Sequence, residues 1–257
     1  MQHRSPTRFC LILPLLLTAC LTGCVKFKHA LTVKPDGSGK VEITFAMGEA
    51  MQAQQSSEDL GLADLDELIA QEDHGFVAFT APETWNQGGF AYQRIIGYFE
   101  DVNQVVIEGE NDPDAEGAGV TTFAFDPAAG TLSVSRCLLQ QVAVETESVV
   151  SADPAELTML GAMMGGLRIE ESITVPGQIE DAGPFGVEGS AASAVIDADV
   201  ILAEDAATLN AWRETGEVVV RFVPTDWGNA EQEAWQEELT AAKAAWAAIK
   251  EAGTFEP

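Results

Sequence analysis

From residue 26 to 34 apolar and polar residues alternate with a period of two. Phe27, His29, Leu31 and Val33 fall on one side, and Lys26, Lys28, Ala30, Thr32 and Lys34 on the other. Pro35-Asp36-Gly37-Ser38-Gly39 follows, in which proline presets φ and glycine accepts a positive φ. Val41, Ile43, Phe45 and Met47 then alternate with Lys40, Glu42, Thr44 and Ala46. The pattern predicts a β-hairpin with one apolar face, and it puts His29 on that face as a packed imidazole. Leu62, Leu65, Leu68 and Ile69 recur at helical spacing, with Asp64, Asp66 and Glu67 on the solvated side. Strands are expected at 75–81 and 89–99, the second closed by Phe99-Glu100-Asp101-Val102. An acidic, glycine-containing loop over 109–119 precedes a second hairpin, 120–125 and 131–139.

The pattern changes at residues 153–166. Asp153 suits an N-cap and Pro154 the first helical position. Leu157, Met159, Leu160, Met163 and Met164 then make a short, almost wholly apolar helix that stops at Gly165-Gly166. Beyond it we expect a strand over 167–175, a break at Pro176-Gly177 and a Gly/Pro loop over 183–190. A strand over 194–202, a helix over 204–214 and a strand over 218–223 follow. The last segment reads as the best-defined helix, with Asn229 and Gln232 at capping-box spacing and Gly253 as its stop. Trp235, Leu239, Ala242, Trp246 and Ile249 form a narrow apolar seam over about two heptads, short of the three to four of a coiled coil. An amphipathic helix docked on the body is the first reading and a partner helix the second.

The first residues read as an export leader. Arg4 and Arg8 give a basic start, residues 11–17 an apolar core interrupted by Pro14, and small residues lead to a cysteine. Residues 9–21 are too few to span a bilayer, which takes about 20 apolar residues. Leu21-Thr22-Gly23-Cys24 resembles the lipobox of bacterial lipoprotein signal peptides. That resemblance implies cleavage before Cys24 and acylation of Cys24, with two or more chains giving stable attachment. Leu17-Thr18-Ala19-Cys20 is a weaker second box. The residue after the cysteine is Val25 and not Asp, which in the enterobacterial sorting pattern fits the outer membrane; the alternative is the outer face of the inner membrane.

Charge sharpens this picture. Of 13 basic residues, two lie in the leader, which leaves 11 against 41 acidic ones, a net charge of −30. Such acidity argues against nucleic acid, which needs a basic face. Lys26, Lys28, Lys34 and Lys40, against Asp36, form a basic segment beside Cys24. Either Lys26, Lys28 and their neighbours face anionic headgroups, or they pair with Glu42 and nearby acids across the hairpin.

Little catalytic chemistry is written in the chain. There is no Gly-x-Ser-x-Gly elbow and no P-loop. Zinc spacing of His and Cys is absent. Asp112-x-Asp114-x-Glu116-Gly117 opens like a calcium loop, but Phe123 stands where the bidentate glutamate belongs. Cys137 is left without a partner once Cys24 is acylated, and it reads as a small buried hydrophobe. We expect no enzyme, no cofactor and no metal. The apolar segment with Met159, Leu160, Met163 and Met164 has three readings: a buried core helix, the lining of a lipid pocket, or a segment dipping into the bilayer interface.

Several features together resemble the LppM-type bacterial lipoprotein family. These are the lipobox, the run Leu31-Thr32-Val33-Lys34-Pro35-Asp36-Gly37-Ser38-Gly39 followed by Val41-Glu42-Ile43-Thr44-Phe45, then Phe99-Glu100-Asp101-Val102, and the Met/Gly segment before a strand ending in Val175-Pro176-Gly177. The resemblance covers about residues 21–202 and rests on the order of the pieces. It implies an α+β lipoprotein domain with lipid-related or cell-envelope roles and brings no catalytic residues. Some relatives end in a transmembrane helix with a basic tail, whereas this chain ends in an acidic helix.

The expected fold class is α+β: an antiparallel sheet of hairpins with helices on one face, plus a C-terminal amphipathic helix. The expected division is a signal peptide at 1–23, an LppM-like domain at 24–225 and a helical extension at 226–257. The expected function is a membrane-anchored, non-enzymatic envelope lipoprotein that binds lipid or another apolar ligand through Met159, Leu160, Met163 and Met164. The alternative is a structural or assembly lipoprotein docking an envelope protein through Trp235 and Trp246.

Overall fold

A computed structural model describes residues 25–48, 65–108, 120–135, 137–145, 165–203 and 207–255. The leader, Cys24, the 109–119 loop and the segment bearing Met159, Leu160, Met163 and Met164 lie outside the described residues.

The first hairpin forms as its alternation demands: β1 (Val25–Val33) pairs antiparallel with β2 (Gly39–Gly48), Leu31 facing Val41. Its turn is closed by Asp36, whose Oδ1 accepts from the Ser38 amide at 3.0 Å, and Gly37 has φ 83°. Helix α1 (Leu65–Ala70) and a short 3-10 turn (Gln71–His74) lead to β3 (Phe76–Phe79), β4 (Glu83–Gln87) and β5 (Phe90–Phe99). A 3-10 turn (Val102–Gln104) capped by Asp101 precedes β6 (Val106–Glu108), β7 (Val120–Asp126) and β8 (Thr131–Val134). Then come α2 (Leu138–Glu145), β9 (Arg168–Thr174), β10 (Gly177–Asp181), β11 (Gly186–Glu188) and β12 (Ala191–Asp197). The chain ends with α3 (Ala198–Ile201), α4 (Ala207–Glu214), β13 (Val218–Pro224) and α5 (Asn229–Ala252).

The fold is α+β, with two mostly antiparallel sheets where one was expected. The larger has the order β11-β12-β9-β1-β2-β5-β3, with β4 also on β5, and the smaller runs β10-β13-β8-β7-β6. One pair departs from the hairpin rule: β1 and β9 run parallel, Leu31 beside Ile173. Strand β9 ends at Thr174 and the chain resumes at Gly177 as β10 of the smaller sheet, so Pro176-Gly177 is the crossing between sheets and not merely a break.

Inward side chains of both sheets share one core: Leu31, Val41, Phe99 and Ile173 from the larger, and Phe125, Leu132, Val220 and Phe222 from the smaller. Helices α2 and α4 seal it with Leu139, Ala143, Leu209 and Trp212. They lie on the face of Glu171, whose Oε2 accepts from the Leu139 amide at 3.1 Å. Helix α5 covers the opposite face. There Glu238 accepts from Lys40 Nζ at 2.6 Å and from the Tyr98 hydroxyl at 3.1 Å, Lys40 and Tyr98 being registered neighbours.

The α5 seam is as expected in spacing, and the body of the chain uses it. Trp235, Leu239 and Trp246 are buried, and Ala242 and Ile249 pack against the same core. Trp235 Nε1 donates to Ser38 Oγ at 2.8 Å and Trp246 Nε1 to Glu72 Oε1 at 2.6 Å. A seam filled this way is that of a helix docked on the body, the first of the two readings. The cap is corrected: Gly228 is the N-cap, with no side-chain bond, and Asn229 already lies inside the helix. Gly253 ends it in the left-handed region, φ 70°.

Three further expectations shift. The strand over 131–139 stops at Val134, because Leu138 begins α2. The strand over 194–202 begins at Ala191 and ends at Asp197, whose carboxylate accepts from the Val200 amide at 3.1 Å and starts α3. Strand β4 was not foreseen, since Glu-Thr-Trp-Asn-Gln shows no apolar alternation.

Candidate functional site

The start of β1 gathers the chemistry that sequence assigned to the membrane. Val25 faces Met47, Arg168 faces Lys26, and Phe90 faces Gly48. The beginnings of β1, β9 and β5, the end of β2 and the Gly88-Gly89 turn therefore share one end of the larger sheet. Register then builds two rows on one face: Arg168, Lys26, Ala46, Tyr92 and Trp85, and beside it Glu170, Lys28, Thr44, Arg94 and Glu83.

Lys26 Nζ sits 3.8 Å from the Phe90 ring centre and 3.5 Å from the Tyr92 hydroxyl. Trp85 stacks on Tyr92 at 5.0 Å, with the rings 8° from parallel. The Arg94 guanidinium lies 5.9 Å from the Trp85 ring. Its hydrogen bond to Glu83, with Glu42 at 3.7 Å, outweighs burial and holds Arg94 further into its charged range. Lys28 and Arg168 both approach Glu170, at 3.5 and 3.3 Å, and both stay about half exposed. A hollow of about 140 Å³ opens between Lys26, Lys28, Tyr92 and Arg168. Four cations meet three carboxylates here, an excess of one positive charge on a chain of net −28.

The basic segment of the sequence is therefore not one patch. Lys34 and Lys40 belong to the other end of the hairpin, roughly 25 Å along an extended strand. Lys40 is paired with Glu238, and Lys34 Nζ lies 5.1 Å from the Trp235 ring. Glu42 pairs with Arg94, at 3.7 Å. Lys26 and Lys28 stay together at the start of β1; Arg168, Arg94 and the aromatic residues join them through pairing the sequence does not reveal.

A buried polar cluster lies on the opposite face. Glu171 is 2 % exposed, with its Oε1 3.5 Å from His29 Nδ1. His29 is packed on the apolar side as expected, and neither ring nitrogen makes a hydrogen bond. Cys137 is fully buried, and burial with the adjacent Glu171 pushes its thiol far up. A thiol held protonated is a poor nucleophile, so the small buried hydrophobe is the reading the surroundings favour. Sequence reasoning missed Glu171, although its signal was present: it alternates in phase with Ile169 and Ile173.

The geometry defines a class first: an α+β domain of two sheets, with helices on both faces of the larger one and a basic, aromatic end where the chain enters the fold. Comparison with known proteins follows. No family model matches this chain, and no curated protein matches it. Among solved structures, the NMR structure of the folded domain of LppM from Mycobacterium tuberculosis matches at 14 % identity, over 80 % of this chain and 93 % of that one, with a TM-score of 0.39. A match of that size does not place this chain in the LppM family. Among the described residues, no helix is long and apolar enough to cross a membrane.

Proposed function

We propose that this chain is a non-enzymatic lipoprotein of the bacterial cell envelope, anchored by lipid at Cys24, whose domain rests on the bilayer through the Lys26 end of the larger sheet. One observation carries the reading. On a strongly acidic protein, Lys26, Lys28 and Arg168 converge with Trp85, Phe90 and Tyr92 where β1 begins, one residue after the lipobox cysteine. Aromatic rings with a polar edge suit the headgroup level, and each cation near an anionic surface is worth about 1 kcal/mol. Strand begins at Val25, so a lipid on Cys24 would hold this end within reach of headgroups.

Two measurements test it. Mass spectrometry of the membrane-extracted protein should find an acylated N-terminal Cys24, and Cys24→Ala should abolish the acyl mass. The same Cys24→Ala chain should sediment with anionic vesicles, and Lys26→Glu with Lys28→Glu should weaken that by about tenfold or more at low salt. Unchanged vesicle affinity would sink the resting geometry and leave the lipidation standing. Binding of an apolar ligand at Met159, Leu160, Met163 and Met164 belongs to the same proposal. Its measurement is separate: lipid that co-purifies with the wild-type protein and is lost on Met159→Ser with Met163→Ser.

A further inference from the structure

The widest cleft among those described opens at the far end of the same sheet, and neither the anchor nor the basic end uses it. It measures about 550 Å³, within the range of small-molecule sites. Four pieces of chain build it: the end of β1 with Lys34 and Pro35, the sheet crossing at Thr174 to Gln178, Ser190, and the approach to and first turn of α5 with Asp226, Trp227 and Glu231. The crossing is fixed from both sides, the Val175 amide donating to Ser190 O at 3.0 Å and the Thr225 amide to Pro176 O at 3.1 Å. The cleft thus has a rigid floor with a half-buried indole on one wall.

Its chemistry excludes several ligands. An acyl chain needs a mostly apolar lining, whereas hydroxyls, an amide and three charged groups stand around this one. A phosphate-bearing polymer needs surplus cations, whereas the lining sets Lys34 against two carboxylates, Asp226 and Glu231. An indole among hydroxyls and carboxylates suits a molecule whose faces are C–H and whose edges are hydroxyl. We infer that this cleft binds a neutral saccharide, a sugar ring stacking on Trp227 while Asp226 and Glu231 accept from its hydroxyls. A carboxylate offers about four acceptor positions, and an indole supplies an apolar face with little side-chain entropy to lose. On the anchoring proposed above the cleft opens away from the bilayer, toward envelope glycan; the binding itself does not rest on that orientation.

The test is saturation-transfer NMR on the full chain in a non-glycosidic detergent. The probes are an N-acetylglucosamine tetramer and mannotetraose, with inositol hexakisphosphate, which has ring protons of its own, as the anionic control. Transfer to ring protons of at least one saccharide is expected, with none to inositol hexakisphosphate. Trp227→Ala should weaken binding by about tenfold or more, and Trp85→Ala, at the opposite end, should leave it unchanged. Because Trp227 also packs on the core, Asp226→Asn with Glu231→Gln, both exposed, provides a second variant that should lose binding while keeping the wild-type amide spectrum. Absence of transfer from both saccharides, or binding that survives both variants, overturns the inference. Neither result bears on vesicle binding, so the anchoring proposal stands or falls separately.

Discussion

Glu171 is buried, with one oxygen accepting from the Leu139 amide on the first turn of α2 and the other 3.5 Å from His29. Removing it leaves the buried Leu139 amide without its acceptor, which costs about 1–3 kcal/mol. Glu171→Ala should therefore lower the urea midpoint sharply, while Glu171→Gln, which keeps an acceptor for the Leu139 amide, should cost less. The Cys137 thiol, pushed up by burial and Glu171, should resist iodoacetamide in the native chain at pH 8 and react once unfolded, as peptide mass spectrometry would record. These roles were only half legible in the sequence. The inward phase of Glu171 and His29 can be read from alternation, but that they face each other depends on a parallel pairing between distant strands. No local pattern specifies such a pairing.

At the scale of elements, α5 is held by polar contacts that respond to pH. Burial pushes the Glu72 carboxyl up, but Lys250 at 2.5 Å and the Trp246 indole together hold it below the usual carboxylate range. A lowered value favours the folded chain above the ordinary range, and that contribution is lost as pH falls through it. Acid titration of Trp246 fluorescence should show this step, and Glu72→Gln should flatten it. Burial, with Glu238 beside it, raises the Tyr98 hydroxyl to about 12. The protonated phenol therefore stabilises the fold up to its unfolded pKa, and the contribution is lost between there and pH 12. Of the two tyrosines, Tyr98 should ionise only near that pH in absorbance at 295 nm. Elements with clean periodicity, such as β1, β2 and α5, were legible almost to the residue. Strand β4 was not, because its polar sequence is ordered by pairing with β5, and α2 was not, because Leu138 and Leu139 extend a β-like run until Glu171 caps the helix from another strand. Close approach also fixes elements: a Cβ at Gly97 would lie 2.8 Å from the Phe79 ring, so Gly97→Ala should displace β3 from β5.

The whole molecule treats its C-terminal helix as core. Deleting residues 229–257 would uncover Tyr98 and Phe79 and remove Trp235, Leu239 and Trp246, each worth about 1.5–3 kcal/mol. That sum rivals the total stability of an ordinary domain, about 5–15 kcal/mol, so the truncated chain should melt at a much lower temperature or aggregate. Its seam reads in the sequence as that of a helix docked on the body, but the docking points, the hairpin turn, Glu72 and Glu100, meet it only in three dimensions. The central pairing of β1 with β9 has a temporal consequence. The first strand among the described residues lies in the middle of the larger sheet, and one of its two neighbours does not exist until residue 168 has been added. Synthesis at about 5–20 residues per second leaves β1 half-paired for several seconds, an interval in which the chain is still pliable enough to be threaded. Once closed, the same long-range pairing should make refolding slow, in the millisecond-to-second range of folds rich in distant contacts.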